Sequence, residues 1–421
     1  MERDYITDLN DLLLCITKAI NLINPEINDH HSQVAYLAYN IAKKLNVSVD
    51  DMRTLIIASM LHDVGAIAYG DTIEVTPDGT GREHKHAFVG AKLLQNFNMF
   101  DKVSEIVKYH HMPWNHGEGK TYNGQEVPYL SHIIHLADSI VLHLNKYEPA
   151  ISQVKDVKKF VVKEKGSTFN EEIVDAFLAI SDREAMWLYL QFEPQILNEI
   201  MDDSISSIKL SINDAIELTE IFAHIIDFRS PFTSMHSAGV AATAVALAKK
   251  AGFSSDECKM VKIAGNLHDI GKLKTPKEIL EKQGKLEEDE FNIIKEHSFY
   301  TYLLLKPVSG FEQITEWAAF HHEKMNGTGY PFHFPAKKLS LGSRILAVAD
   351  IFTAITEDRP YRAGMDKETA TEVIKEKVKE GAISPYVSSL LLYNFDDIYA
   401  VSKKAAAKAV EEYSSFLNDV G

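Results

Sequence analysis

The sequence contains few cysteines. Its 421 residues include only Cys15 and Cys258, which are too few for a disulfide framework or for a zinc site built from thiolates. The first residues are charged and lead into an amphipathic helix, so the beginning of the sequence lacks the apolar core of a secretory signal. We therefore expect a protein of the reducing cytoplasm.

The chain also lacks an excess of positive charge and a long apolar run. It has 44 Lys and Arg residues against 60 Asp and Glu, a net charge of −16. A nucleic-acid polymer or an anionic membrane surface requires a broad basic face, so neither is an expected partner. The most apolar stretch, residues 55–69, is interrupted by His62 and Asp63 and is too short to span a bilayer. A small anionic ligand remains compatible with the composition.

Strand-like alternation is absent as well. Apolar residues recur instead at helical spacing, beginning with Leu9, Leu12, Leu13, Ile16 and Ile20. We therefore predict the all-α class, organised as two tandem helical bundle domains joined by a helical connector. The predicted segments are an N-terminal domain (1–180), the connector (181–206), a C-terminal domain (207–398) and a helical tail (399–421).

The connector carries many large apolar side chains, Trp187 and Phe192 among them. A free linker is more polar than this, so the connector is expected to pack against folded structure. It either docks the two domains within one chain or pairs two chains in a homodimer, and the sequence leaves both arrangements open.

Histidine and aspartate recur at nearly the same intervals in the two halves of the chain. An interval of 32 residues leads from the first His to the His of a His-Asp pair in both halves, and an interval of 24 separates the next two histidines. The first set is His30, His62, Asp63, His86, His110, His111 and Asp138. The second set is His236, His268, Asp269, His297, His321, His322 and Asp350. Self-similarity over this length indicates a duplicated domain.

The residue types of the second set point to metal ions. A single histidine on an apolar helical face is usually a hydrogen-bonded core residue, but five imidazoles and two carboxylates cannot all find neutral partners in a core. Two divalent metals satisfy the set if Asp269, beside His268, bridges them. Because a metal pair stabilises in-line displacement at phosphorus, phosphoester hydrolysis is the predicted reaction, with Lys272 near a phosphate oxygen.

The second half resembles a known family. His268-Asp269 and its companion ligands resemble the HD superfamily of metal-dependent phosphohydrolases. The run from His321 to Pro331 resembles the HHExxDGxGYP signature of its HD-GYP branch, and the likeness continues through residues 344–350 and 358–362. The resemblance implies hydrolysis of a cyclic dinucleotide, either cyclic di-GMP to pGpG or GMP, or 3′,3′-cyclic GMP-AMP.

The resemblance also implies a role for each residue of the C-terminal site. The seven residues of the second set become metal ligands, and Asp269 and Lys272 become the catalytic residues. The implied substrate contacts are Lys272, Glu323, Asn326, Gly329, Tyr330, Pro331, Arg344, Arg359 and Arg362. The resemblance favours iron as the metal, and the ligand set also accepts Mn, Ni or Zn.

Two positions depart from the signature of the family. Asn326 stands where the signature has Asp, which removes a negative charge near the pocket. Phe232 stands where some members carry a Glu that holds a third metal. We therefore expect two metals in the C-terminal domain.

The first half resembles a plain HD domain. Ala66 replaces the lysine, Met112 replaces the signature Glu, and no Gly-Tyr-Pro follows. The ligand set is nevertheless complete, and Glu26 lies one helical turn before His30, where a third-metal carboxylate belongs. The expected N-terminal ligands are Glu26, His30, His62, Asp63, His86, His110, His111 and Asp138. We expect two or three metals there and a regulatory or sensory role.

Two other functions remain open. Asn326 is compatible with a catalytically silent receptor that binds a cyclic dinucleotide and signals through a partner. Some di-iron sites of the HD superfamily activate dioxygen, which gives an oxygenase as the second alternative. Lys272 and the Gly329–Pro331 loop favour a phosphate-bearing substrate over the oxygenase.

Overall fold

A computed structural model describes residues 6–23, 29–69, 83–191, 200, 208–228, 236–358 and 363–420. They are mostly helical, which confirms the predicted all-α class. Their strands are two residues long: β1 (Thr7–Asp8) pairs with β4 (Lys209–Leu210), and β2 (Thr121–Tyr122) pairs with β3 (Gln125–Glu126). Within the described ranges, no helix has the length and apolar character needed to cross a membrane.

The chain forms two compact units. The N-terminal unit comprises Asn24–Ile208, and the C-terminal unit comprises Met1–Ile23 together with Lys209–Asp419. The first helix, α1 (Leu9–Asn21), thus belongs to the C-terminal unit, although the predicted N-terminal domain begins at residue 1. The reason is tertiary: β1 pairs with β4, and the apolar face of α1 packs on the helix that carries His297.

Nine described helices build the N-terminal unit. They are α2 (His30–Lys44), α3 (Val49–Leu61), α4 (Val64–Tyr69), α5 (Glu83–Leu94), α6 (Asp101–Lys108), α7 (Tyr129–His143), α8 (Val154–Lys163), α9 (Glu171–Ile180) and α10 (Glu184–Tyr189). Helix α2 packs on α3, α7 and α9, so the first predicted histidine begins a helix at the centre of this unit.

The C-terminal unit repeats this order and adds helices at its end. Its further helices are α11 (Ile212–Phe228), α12 (His236–Lys250), α13 (Ser255–Leu267), α14 (Lys277–Leu280), α15 (Glu288–Leu305), α16 (Glu312–Ala319), α17 (Leu341–Thr356), α18 (Lys367–Lys379), α19 (Pro385–Tyr393) and α20 (Phe395–Val420). Helix α12 packs on α13 and α17, as α2 packs on α3 and α7.

The paired histidines lie just beyond helix ends. Helix α6 ends at Lys108, and His110 and His111 follow in a turn. The same holds after α16 for His321 and His322. A turn lets two adjacent side chains point to one centre, which successive residues of a helix, about 100° apart, do less well.

The described part of the predicted connector docks on the N-terminal unit. Trp187 and Leu190 are buried, and Nε2 of Gln33 donates a hydrogen bond to the carbonyl oxygen of Leu190 at 2.7 Å. The ring of Tyr189 lies 6.1 Å from that of Tyr36. Residues 192–199 and 201–207 lie outside the described residues.

Candidate metal centre

The structure brings all seven predicted C-terminal ligands together. His236 begins α12, His268 and Asp269 follow α13, and His297 lies within α15. His321 and His322 follow α16, and Asp350 lies on α17. Three overlapping groups of these side chains place their ligand atoms within 4.8 Å of one another: His236, His268 and Asp350; His268, Asp269 and His321; and His297, His321 and His322.

The carboxylate of Asp269 lies between two groups of imidazoles. Its Oδ2 is 3.1 Å from Nε2 of His268 and 4.0 Å from Nε2 of His236. Its Oδ1 is 3.4 Å from Nε2 of His297 and 4.0 Å from Nε2 of His321. One oxygen therefore faces each group, which is the geometry of a carboxylate able to bridge two cations.

Backbone hydrogen bonds set the tautomer of three histidines. Nδ1 of His268, His297 and His321 lies 2.7, 2.6 and 2.6 Å from the carbonyl oxygen three residues earlier in the chain. A carbonyl oxygen only accepts, so Nδ1 carries the proton in each ring and Nε2 keeps its lone pair. All three lone pairs are available to the centre of the cluster.

The charge states of the side chains suit a divalent cation. Burial lowers the pKa of His297 to about 3 and that of His322 to about 4, so both rings are neutral at pH 7. Burial opposes ionisation of Asp269, but His268 and Lys272 outweigh it and hold the pKa of this carboxyl well below its usual range. The cluster thus combines neutral imidazoles at His297 and His322 with an ionised carboxylate at Asp269.

Two buried atoms of the cluster lack a hydrogen-bond partner. Nε2 of His268 and Oδ1 of Asp269 are shielded from solvent, and neither makes a hydrogen bond within the described structure. Leaving such atoms unsatisfied costs about 1–3 kcal/mol each. A metal ion accepts a lone pair from both kinds of atom, so the residues present fit a metal centre.

The two His-Asp pairs are followed by a glycine with the same role. A Cβ on Gly271 would lie 2.0 Å from the carbonyl oxygen of His297, and one on Gly65 would lie 2.1 Å from that of His86. Only glycine lets the His-Asp segment approach the helix that carries the next histidine so closely. The repeated glycine is therefore part of how each cluster is assembled.

Lys272 lies at the edge of the C-terminal cluster. It belongs to a 3₁₀ turn, Ile270–Lys274, and its Nζ donates to Oδ2 of Asp269 at 2.6 Å. Burial disfavours the charged amine, but the neighbouring Asp269 raises the pKa of Lys272 above its ordinary value. The side chain, 21% exposed, therefore presents an ammonium group beside the cluster.

The N-terminal unit has an equivalent cluster. Oδ2 of Asp63 is 3.2 Å from Nε2 of His62, its Oδ1 is 3.2 Å from Nε2 of His86, and Oδ1 of Asp138 is 3.1 Å from Nε2 of His30. Two groups place ligand atoms within 4.8 Å: one of Asp63, His86, His110 and His111, and one of His30, His62 and Asp63. Glu26, the predicted further ligand, lies outside the described residues.

The sequence leaves His30 and His31 as adjacent candidates, and the spacing favours His30. Nε2 of His30 lies 3.6 Å from Oδ2 of Asp63, while Nε2 of His31 lies 3.9 Å from the same oxygen. His30 also faces Asp138. The C-terminal counterpart of His31 is Ser237, so the N-terminal cluster has one additional buried imidazole.

The sequence profile of the HD domain family matches residues 220–387, and a second HD domain profile matches residues 28–141. The chain belongs to the HD superfamily. Its two HD domains coincide with the two clusters, one in each compact unit.

Characterised phosphodiesterases resemble this chain, two of them over nearly its full length. The 3′3′-cGAMP-specific phosphodiesterase 1 of Vibrio cholerae serotype O1 is 28% identical over 95% of this chain and 94% of its own. A cyclic di-GMP phosphodiesterase of Pseudomonas aeruginosa is 37% identical over 37% of each chain. A cyclic GMP-AMP specific phosphodiesterase of V. cholerae has the same fold, with a TM-score of 0.63, 21% identity and coverage of 95% and 97% of the two chains.

In the C-terminal HD domain, the signature Glu323 organises the loop that follows it. The carboxylate is buried and accepts hydrogen bonds from the backbone N–H groups of Phe332 and Phe334 at 2.7 and 3.0 Å. The contact of Glu323 with substrate stays a prediction; in the described structure its oxygens hold the backbone that directly follows Gly329–Pro331. A Cβ on Gly329 would lie 2.2 Å from the backbone nitrogen of Lys324, so the loop needs glycine there.

Two other predicted substrate contacts of this HD domain also support backbone. Arg344 donates from Nε to the carbonyl oxygen of Leu339 at 3.0 Å and from Nη2 to that of Ala336 at 2.7 Å. Oδ1 of Asn326 accepts from the N–H of Thr328 at 3.0 Å. Both side chains thereby brace the loop between α16 and α17. Arg359, Arg362 and Phe232 lie outside the described residues.

Three residues that support the HD cluster are absent from the sequence prediction. Oε2 of Glu357 lies 3.0 Å from Nδ1 of His236, and Asp350 lies 3.1 Å from its Nε2. Burial opposes protonation of His236, but these carboxylates, Glu357 foremost, raise its pKa to about 10. Glu357 follows Asp350 by two helical turns, a spacing that could have revealed it.

The other two are Asp227 and Thr301. Oγ1 of Thr301 accepts from the N–H of Gly271 at 3.2 Å and donates to the carbonyl oxygen of His268 at 2.9 Å, which ties the His-Asp turn to α15. Asp227 is buried, accepts from Oγ of Ser237 at 2.8 Å, and has its pKa raised to about 7 by burial. The sequence marks Asp227 only as a single acidic residue within the apolar last turns of α11.

Proposed function

We propose that the C-terminal HD domain is a metal-dependent phosphodiesterase that hydrolyses a cyclic dinucleotide. The observation that carries this proposal is the position of Asp269, with one oxygen facing each group of histidines and Lys272 2.6 Å from Oδ2. A carboxylate able to hold two cations, with an ammonium group beside it, suits a substrate that is a phosphodiester anion. The HD relatives support the substrate class, because their names give cyclic dinucleotides as substrates.

Two divalent metal ions are proposed for this site. His236, His268 and Asp350 would hold one, His297, His321 and His322 the other, and Asp269 would bridge them. When bound, such a pair supplies a hydroxide at neutral pH and neutralises charge on the phosphoryl group. Iron is the first candidate, and Mn, Ni and Zn suit the same donors.

The residues of the chain have separate tasks in this proposal. The backbone carbonyls that accept from Nδ1 orient His268, His297 and His321 before substrate arrives. Lys272 stays protonated and contacts a phosphate oxygen, where its charge stabilises the additional negative charge of the transition state. Tyr330 and Pro331 would border the bound substrate, and the buried Glu323 holds the backbone that follows them.

The choice of dinucleotide is a finer proposal. The relative that matches nearly the whole chain is named for 3′3′-cGAMP, whereas the cyclic di-GMP relative from P. aeruginosa matches only 37% of it. We therefore propose 3′,3′-cyclic GMP-AMP as the preferred substrate, with cyclic di-GMP as the competitor.

The N-terminal HD domain is proposed to bind metal without turning over the same substrate. It has the second cluster, but Ala66 takes the place of Lys272 and buried Met112 takes the place of Glu323. It therefore lacks both the ammonium group and the carboxylate that organises the C-terminal loop. We propose a regulatory role, with two metals, or three if Glu26 contributes.

The test is hydrolysis by full-length protein purified without oxygen and loaded with Fe²⁺ or Mn²⁺. Both cyclic dinucleotides are supplied in parallel, and linear products are separated by chromatography. Linear dinucleotide or mononucleotide that is lost on chelation supports the proposal. Tight binding without product would replace it with the silent receptor, and oxygen consumption with an organic substrate would replace it with the oxygenase.

A further inference from the structure

Two aromatic rings lie in a row beside the C-terminal cluster. Tyr330 is next to the cluster, and Phe291 is next to Tyr330. The ring centroid of Tyr330 lies 4.8 Å from that of His322, and the ring centroid of Phe291 lies 6.4 Å from that of Tyr330 at an interplanar angle of 85°. The backbone N–H of Tyr330 also donates to the carbonyl oxygen of His322 at 3.2 Å. Tyr330 is thus fixed to the cluster, and Phe291 continues the aromatic surface away from it.

Phe291 is not one of the residues that form the buried aromatic core of this region. Its side chain is 43% exposed, and Tyr330 is its ring contact among the rings the structure describes. The aromatic core beneath the loop is formed by other residues, namely Tyr302, Phe320, Phe332 and Phe334. A large exposed apolar ring beside a polar cluster points to a ligand that covers it.

The same helix offers a residue for comparison. Phe299, two turns further along α15, is 41% exposed, but its ring packs against Phe332 at 6.0 Å, within the loop core. Phe291 differs because its partner Tyr330 contacts a residue of the cluster. Lys295 places its Nζ 4.7 Å from the Phe291 ring centroid, which adds positive charge beside that ring.

These features match the chemistry of a purine nucleotide. Bases stack on aromatic side chains, and positive charge nearby suits the phosphate backbone. A nucleotide with its phosphate at Asp269 and Lys272 must place its base outward from the cluster, where the Tyr330 and Phe291 rings lie. A base that stacks there contributes affinity without taking part in bond cleavage.

We propose that Phe291, together with Tyr330, forms a stacking site for one purine base of the cyclic dinucleotide. The ligand in this inference rests on the proposed function. Phe291 is a specificity residue that acts through binding, because its described ring contact is with Tyr330 and not with a proposed metal ligand. Its loss raises KM and leaves kcat nearly unchanged.

The experiment compares wild type with F291L, F291W and the matched control F299L, all full length and metal-loaded. Leucine keeps an apolar side chain but removes the stacking surface, and tryptophan restores it. Binding is followed by the fluorescence of a hydrolysis-resistant phosphorothioate cyclic dinucleotide with 2-aminopurine as one base, since stacking quenches this base. Turnover of 3′,3′-cyclic GMP-AMP is measured separately, and metal content confirms an intact cluster.

We expect F291L to weaken binding and raise KM by about tenfold, the size typical for one stacked base, with kcat within about twofold of wild type. F291W should restore both quenching and KM, and F299L should behave as wild type. Unchanged binding by F291L, or an equal loss in F299L, overturns the stacking site even if the enzyme is active. Binding that depends on Phe291 without any turnover supports the stacking site and overturns the proposed hydrolase.

Discussion

Nζ of Lys272 donates to Oδ2 of Asp269 at 2.6 Å, so the ammonium group and the proposed bridging carboxylate form one unit. Replacement of Lys272 by Met should leave metal content unchanged, because all seven proposed ligands remain in place. The change should lower kcat by about 10²–10³-fold, as expected when one preorganised donor to a transition-state charge is lost. Steady-state kinetics and metal analysis of the same preparation measure both effects.

Lys274 provides the control, because it belongs to the same 3₁₀ turn and is also partly exposed. Lys274→Met should keep kcat within about twofold of wild type. If Lys272→Met instead loses its metals, the lysine supports the cluster through Asp269, and its proposed contact with the phosphate is wrong.

Glu357 should govern metal affinity through His236, whose Nδ1 lies 3.0 Å from its Oε2. A carboxylate behind a ligating imidazole fixes the ring and increases its basicity, and its removal typically costs 10–100-fold in metal affinity. We expect Glu357→Gln to weaken metal binding by this amount, measured by competition with a chelating dye. The exposed Glu376→Gln should show no change, and an equal loss in both variants would contradict the assignment.

The repeat explains why the side chains of each cluster could be predicted to lie together. Each cluster draws on helices far apart in sequence, yet the intervals from His30 to His62 and from His236 to His268 are identical, so one half supports the other. The residues that hold the ligands follow no such rule. Thr301 acts through a contact that only the folded helices create, since its hydroxyl donates to the carbonyl oxygen of His268. Glu357 has a weaker sequence signal, its spacing of two helical turns from Asp350.

Glu323 is a second residue whose contacts could not be predicted from the sequence. A conspicuous acidic residue in a functional motif suggests contact with substrate, but here two backbone N–H groups occupy its carboxylate. The direction of that side chain depends on a loop in which Gly329 approaches the backbone of Lys324 closely. Sequence alone identifies the motif, and only the loop geometry separates a residue that holds backbone, such as Glu323, from one whose ring lies against the cluster, such as Tyr330.

His297 should make the stability of the metal-free protein depend on pH. Burial lowers its pKa to about 3 in the folded state, against about 6.5 when unfolded. Between these values the unfolded chain binds more protons, so the contribution is complete above about pH 6.5 and is lost as the pH falls. This residue alone changes the free energy of unfolding by up to about 1.4 kcal/mol per pH unit.

Denaturant unfolding of chelator-treated protein at several pH values between about 4 and 7 measures this slope. His297→Gln should have a shallower loss of stability on acidification than wild type, whatever its stability at pH 7. Since other groups titrate in the same range, the difference between the two slopes is the relevant quantity. Identical slopes would show that His297 is protonated in the folded protein.

The two clusters should contribute separately to metal content. The double variant His62→Gln, Asp63→Asn removes the centre of the N-terminal cluster, and His268→Gln, Asp269→Asn is its counterpart in the other unit. Each should lose about half of the bound metal, and only the second should abolish hydrolysis. If the first pair changes neither metal content, stability nor the activity of the C-terminal domain, the N-terminal cluster has no metal-dependent role.

Helix α1 should stabilise the C-terminal unit although it is remote from that unit in sequence. Leu13 is fully buried, α1 packs on α15 and on the turn that carries Lys272, and Oδ2 of Asp11 accepts from the N–H of Ser309 at 2.9 Å. Leu13→Ala should therefore destabilise this unit by about 2–5 kcal/mol, the usual cost of such a core truncation. Hydrogen exchange followed by mass spectrometry should report faster exchange in α15.

The exposed Lys18→Ala is the control on the same helix and should leave exchange unchanged. Helix α7 of the N-terminal unit should keep its protection in both variants, because α1 belongs to the other compact unit. Faster exchange in α7 with no change in α15 would mean that α1 stabilises the N-terminal unit in solution. If α15 exchanges faster and α7 does not, a fragment that begins at residue 207 should be less stable than the C-terminal unit of the full chain. Such a fragment lacks α1, which belongs to the core of that unit.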